Sequence, residues 1–112
     1  MLFKERFQTI KYPKLLDTFD DLHIETLPPW DLIGEGYELW QNFFNSSNLP
    51  NYIPFAKMIN DDVVATFDSR SEKIYLFLLP VTSESRSFKT YNNTDEWLKR
   101  ALEDVLEYLV NY

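Results

Sequence analysis

The chain has 112 residues, 45% of them apolar and 17% aromatic, enough to bury a core of bulky rings without covalent staples. It contains no cysteine, which excludes disulfides, thiolate zinc sites and thiol nucleophiles and fits a reducing cytoplasm. Its net charge of −7 opposes contact with nucleic acid or anionic membrane; beyond solubility, the partner class it favours is a basic protein.

No stretch approaches the roughly 20 consecutive apolar residues of a membrane helix. The opening MLFKERFQTIKYPK lacks the continuous apolar core and the small-residue cleavage site of a signal peptide. With no internal repeat, linker or low-complexity tract, the expectation is a single cytoplasmic domain over residues 1–112.

Phe3, Phe7 and Ile10 recur at helical spacing, but FQTIKY also alternates as a strand does, so residues 2–11 read equally as either. PKLLDTFDDL, residues 13–22, reads as a short helix with Pro13 in its first position. Its inward face would hold Leu15, Leu16, Phe19 and Leu22, with Asp17, Asp20 and Asp21 turned away. Pro28 and Pro29 predict an extended segment, and Gly34 and Gly36, the only glycines, bracket Glu35 in a turn. This Gly-x-Gly lacks the third glycine, lysine and hydroxyl residue of a phosphate loop. YELWQNFFN then predicts a helix with Leu39, Trp40, Phe43 and Phe44 inward, ending in the Asn, Ser and Pro of residues 45–51.

Three strands follow, at residues 52–58, 63–68 and 73–79, rich in β-branched and aromatic side chains and joined by short polar links. They predict an antiparallel meander, with KIYLFLL central and covered on both faces. Residues 88–91 would add a fourth strand. From Asp95 to Tyr108, Trp97, Leu98, Ala101, Leu102, Val105, Leu106 and then Leu109 mark a long helix lying on one face of the sheet. Asn93 and Glu96 give it a capping-box-like start, and Asp95–Lys99 and Glu96–Arg100 are outward pairs worth about 0.2–0.5 kcal/mol each. The expected class is α+β, an antiparallel sheet of about four strands packed by helices.

Catalytic chemistry finds little support. His23 is the only histidine, and no Gly-x-Ser-x-Gly nucleophile motif accompanies it. The adjacent acids Asp61 and Asp62 would point to opposite faces in a strand and lack the spacing of a calcium loop, so they read as the polar turn between two strands. No catalytic residue, metal ligand or cofactor is assigned. For binding, Trp30 and Tyr37 stand among Asp31, Glu35 and Glu38, an aromatic-acidic window of the kind that anchors protein interfaces. Trp40, on the apolar face of its helix, reads as core. The candidate partner-binding set is therefore Trp30, Asp31, Glu35, Tyr37, Glu38, Asp61 and Asp62.

YIPFAKMINDDVVATFDSRSEKIYLF resembles the SUKH superfamily, which includes fungal cell-wall-assembly regulators and many bacterial immunity proteins. The resemblance lies in Pro54-Phe55-Ala56, the acidic turn Asp61-Asp62, a strand closing on Phe67-Asp68, and a strand from Lys73 to Phe77. It continues in a final helix introduced by Tyr91 and then Asp95, Glu96, Trp97 and Leu98. Leu27-Pro28-Pro29 echoes the family's LPxxY-like step, whereas its Asn-Gly-Gly-type turn is absent. The resemblance implies a non-enzymatic α+β module that neutralises a cognate toxin, such as a nuclease, by direct contact. A regulatory or scaffold domain binding another cellular protein is the alternative, and an acid-based hydrolase a third.

Overall fold

A computed structural model describes residues 3–32, 37–59 and 61–111. The fold is α+β, and its sheet is antiparallel with strands side by side in chain order. The meander expected from the sequence is present as β3 (Tyr52–Met58), β4 (Val63–Asp68), β5 (Ile74–Leu78) and β6 (Lys89–Tyr91). Two further strands precede it, β1 (Thr26–Leu27) and β2 (Trp30–Leu32), so the sheet has six strands among the described residues, not about four. Runs of two and three residues are too short for alternation to be visible in a sequence. Pro28 and Pro29, expected to lie in an extended segment, form the β1–β2 turn, with a cis peptide bond between them. β2 then pairs with β3, Trp30 opposite Met58 and Leu32 opposite Ala56.

β5 is covered on both faces as expected, Ile74 and Leu76 joining the larger core cluster and Phe77 the smaller one, but the strand buried along its whole length is β4. Every β4 residue is buried, with Val63, Ala65 and Phe67 joining the larger core cluster and Val64 the smaller one on the opposite face. β5 is one strand from the edge, beside the three-residue β6, and leaves Leu78 exposed. Pro54 lies inside β3, where a missing N–H would break the ladder. The β3–β4 register shifts between Pro54 and Ala56, an irregularity that accommodates it.

On the larger-cluster face lie three helices: α1 (Phe3–Arg6), α2 (Lys14–Asp21) and α4 (Thr94–Asn111). α3 (Tyr37–Ser46) covers the other face, where Phe44 packs with Val64 and Phe77. Of the four apolar α3 residues expected inward, only Phe44 is buried; Trp40 is half-buried, and Leu39 and Phe43 are exposed. Tyr37 and Trp40 pack against the same cluster while half-buried, so only Leu39 and Phe43 of its apolar arc face outward.

The start of the chain is helical for one turn, which settles the open reading of residues 2–11 for the part described. Asp20, expected to turn outward, is instead buried and caps that turn. Its carboxylate accepts hydrogen bonds from the Phe3 N–H at 2.8 Å and the Lys4 N–H at 3.0 Å, two donors that a helix start leaves unpaired. Nearby, the Arg6 guanidinium lies 4.3 Å from the Phe3 ring centre and 5.5 Å from that of Tyr37, fastening α1 toward the start of α3. Burial pulls the Arg6 guanidinium down to about 10, so it remains charged at neutral pH.

Pro13 stands at the N-cap of α2, one place before the expected position. The helix stops at Asp21 because His23 adopts a left-handed φ of 54°. That turn lets the Ile24 N–H reach the Phe19 carbonyl at 2.9 Å and the His23 N–H reach Asp20 at 3.2 Å. Leu22 is consequently left exposed, not inward. Asn48, with φ 65°, ends α3 by the same pattern, the Leu49 N–H reaching the Phe44 carbonyl at 2.8 Å.

α4 starts as its sequence predicts. The Asn93 side chain accepts from the Glu96 N–H at 2.9 Å, and the Glu96 carboxylate accepts from the Asn92 N–H at 2.9 Å. Arg100 turns to Asp104, at 3.0 Å, in place of the expected partner Glu96.

Candidate functional site

The proposed aromatic-acidic window does not form one surface. Trp30 is only 1% exposed and belongs to the core, which corrects its assignment as a partner anchor. The alternation of β2 explains this: Trp30 and Leu32 face the core, and Asp31 between them faces solvent. Tyr37 is half-buried against Phe7, their ring centres 5.2 Å apart, and burial raises its phenol above the ordinary value. Glu38 is exposed at the start of α3, and Glu35 lies outside the described residues. Asp61 and Asp62 are both exposed in the β3–β4 turn, as expected. There the Asp62 N–H donates to the Asp61 carboxylate at 2.8 Å, and Lys57 Nζ donates to the carbonyl oxygens of Met58 and Asp61 at 2.9 and 3.3 Å. These bonds tie Lys57, Asp61 and Asp62 together and leave both aspartates exposed.

Trp30 has a different role. Its indole N–H donates to Asp104 on α4 at 2.9 Å, while the Arg100 guanidinium holds the other oxygen of that carboxylate at 3.0 Å. The Trp30 ring meets Trp97 edge to face, with centres 5.6 Å apart, and Trp97 meets Phe55 at 4.9 Å. These contacts set the position of α4 over β2 and β3.

That docking creates a cleft of about 330 Å³ between α4, the β1–β2 turn and the β3–β4 turn. Pro29 and Met58 form its apolar part; Asp61, Asp104 and Glu107 bring three carboxylates against the single guanidinium of Arg100. Both Asp104 oxygens are already engaged, so the acids available to an incoming cation are Asp61 and Glu107. Of these only Asp61 belonged to the candidate set. Glu107 looked like one more solvated acid on a helix, and nothing local in the sequence places it beside a turn more than 40 residues earlier.

A larger cleft, of about 560 Å³, lies at the opposite end of β4. Lys11, Lys14 and Arg70 line it together with Asp68, Glu72 and Asp95, so its charges largely cancel. Arg70 is paired to Asp68 at 3.1 Å. Burial alone would raise the Asp68 carboxyl, but its hydrogen bonds to Arg70 and the nearby guanidinium charge outweigh that and hold it below its ordinary value. On the same rim the Tyr12 hydroxyl donates to Asp17 at 2.6 Å, a bond that pushes the phenol up to about 12.

Among the described residues, no group of three or more His, Asp or Glu side chains is arranged to hold a metal ion. His23 is exposed beyond the end of α2 and serves its backbone turn. No described helix is long and apolar enough to cross a membrane. No family model, curated protein or solved structure matches the chain.

Proposed function

We propose that this chain is a non-enzymatic protein-binding module of the cytoplasm that neutralises a basic toxin domain by direct contact. The supporting observation is the carboxylate-lined cleft between α4 and the β3–β4 turn, where Asp61 and Glu107 are open to a cation. An arginine or lysine from a partner would enter between them with its methylenes against Pro29 and Met58. A net charge of −7 would steer such a partner at long range and oppose a nucleic acid in the same place. The resemblance of the β3–β5 region to the SUKH superfamily adds the toxin to this picture, since its members include immunity proteins.

Isothermal titration of the purified chain with a basic toxic domain, sought in the neighbouring reading frame, tests the proposal. A one-to-one complex is expected whose affinity falls steeply between low and high salt, because exposed charges are screened over about 8–10 Å at physiological ionic strength. Asp61→Lys with Glu107→Lys should weaken it by at least about tenfold. Absence of a complex at micromolar concentrations, or an affinity indifferent to both salt and charge reversal, contradicts the proposal.

A further inference from the structure

α4 carries more apolar surface than the sheet covers. Trp97 and Ala101 are buried on its inner face together with Asp104, whereas Leu102 is 48% exposed, Leu106 64%, Leu109 67% and Val110 83%. Leu102, Leu106 and Leu109 belong to the helical stripe that the sequence predicts against the sheet; the structure turns them outward instead. Positions 102, 106, 109 and 110 follow the i, i+4, i+7, i+8 pattern, so the side chains form one continuous row about two turns long. A row of this kind on a surface helix marks an interaction site more than scattered single leucines do.

The borders of the row say what would cover it. One side runs through the half-buried Leu98 and Val105 into the body of the protein. Along the other side stand Glu96, Glu103 and Glu107, exposed and spaced at i, i+7 and i+11, so that they share a face. Beyond them lies the cleft that holds Asp61. Lys99, one turn before the row, and Asp95, two turns before it, close its N-terminal end.

We infer that the outer face of α4 is the docking surface for a basic amphipathic helix of a partner protein, an inference that rests on the binding reading above and names the partner's chemistry. A single row of leucines two turns long matches the ridge of one helix packed against another. The partner's apolar face covers Leu102, Leu106 and Leu109, and its lysines or arginines on one flank meet Glu103 and Glu107. A second copy of this chain is the wrong occupant, because it would bring another −7 molecule and another row of glutamates to the same border. An anionic lipid surface is repelled for the same reason.

The test uses a designed helical peptide with leucines at i, i+4 and i+7 and arginines on one flank, against a scrambled peptide of the same composition. Fluorescence anisotropy with the full chain should show one-to-one binding of the patterned peptide, at least about tenfold tighter than the scrambled one. Leu106→Ser with Leu109→Ser should lose that preference while the melting temperature is unchanged. Glu103→Lys with Glu107→Lys, which leaves the apolar row intact, should weaken binding and flatten its salt dependence. Equal binding of the two peptides, no binding, or binding indifferent to both double variants overturns the inference. So does a concentration-dependent dimer in sedimentation that the leucine variant abolishes, or binding to phosphatidylcholine vesicles in place of the peptide. Glu107 also lines the cleft of the proposed function, whereas Leu106 and Leu109 do not, so the inference fails while that function stands if the leucine variant changes nothing and Asp61→Lys still weakens a toxic-domain complex.

Discussion

Trp97→Ala is expected to remove about 3–5 kcal/mol of unfolding free energy, the range for truncating a fully buried tryptophan. Trp97 is 0% exposed and stands between the Trp30 and Phe55 rings, so no neighbouring loop can collapse into the space it leaves. Against a total stability of about 5–15 kcal/mol, such a loss leaves the domain marginal. Leu106→Ala, on the same helix but facing outward, should change stability by less than about 0.5 kcal/mol. Urea unfolding followed by circular dichroism measures both. A Trp97 effect below about 1 kcal/mol, or a Leu106 effect of comparable size, would mean that α4 presents a different face to the sheet.

Asp104→Ala should cost about 2–4 kcal/mol, through two losses at once. The buried Trp30 N–H would lose its acceptor, and the Trp97 N–H, already buried without a partner among the described residues, would no longer be the only such indole. Arg100 would lose its carboxylate as well. The two losses separate by substitution. Asp104→Asn keeps an acceptor for Trp30 and should recover part of the stability, whereas Arg100→Ala removes a mostly exposed cation and should cost under about 1 kcal/mol. Equal effects of Asp104→Ala and Arg100→Ala would show that the tryptophan bond contributes nothing.

The elements that the sequence predicts well are those with a long, regular pattern. β3, β4 and β5 announce themselves as runs of seven, six and five residues rich in β-branched and aromatic side chains, and α4 by 18 residues with a capped start. β1 and β2 are invisible because pairing with β3, not their own two or three residues, makes them strands. Trp30 was misplaced for a related reason. Beside Asp31 it resembles an exposed anchor, and the acceptor that draws its indole inside is 74 residues away. Asp20 is the same case on a smaller scale, a carboxylate among exposed acids that is held inside by two backbone donors of a helix it does not belong to.

The candidate site was half legible. The Asp61-Asp62 turn can be read directly, because two acids between two apolar runs have nowhere to go but the surface. The contribution of α4 cannot, since periodicity reports how many apolar residues share an arc and not how much of that arc the sheet covers. Leu102, Leu106 and Leu109 fit the pattern of a core stripe as well as Trp97 and Ala101 do, and only the docking angle fixed by Trp30 and Asp104 separates them.

The central claim is that α4 seals the fold with one face and meets a basic partner with the other. Survival of cells co-expressing this chain and a basic toxic domain, sought in the neighbouring reading frame, tests that claim most directly. The wild-type chain should restore growth, and a Leu106→Ser, Glu107→Lys chain, equally soluble and equally stable, should not. Killing that continues in the presence of soluble wild-type chain would contradict the claim.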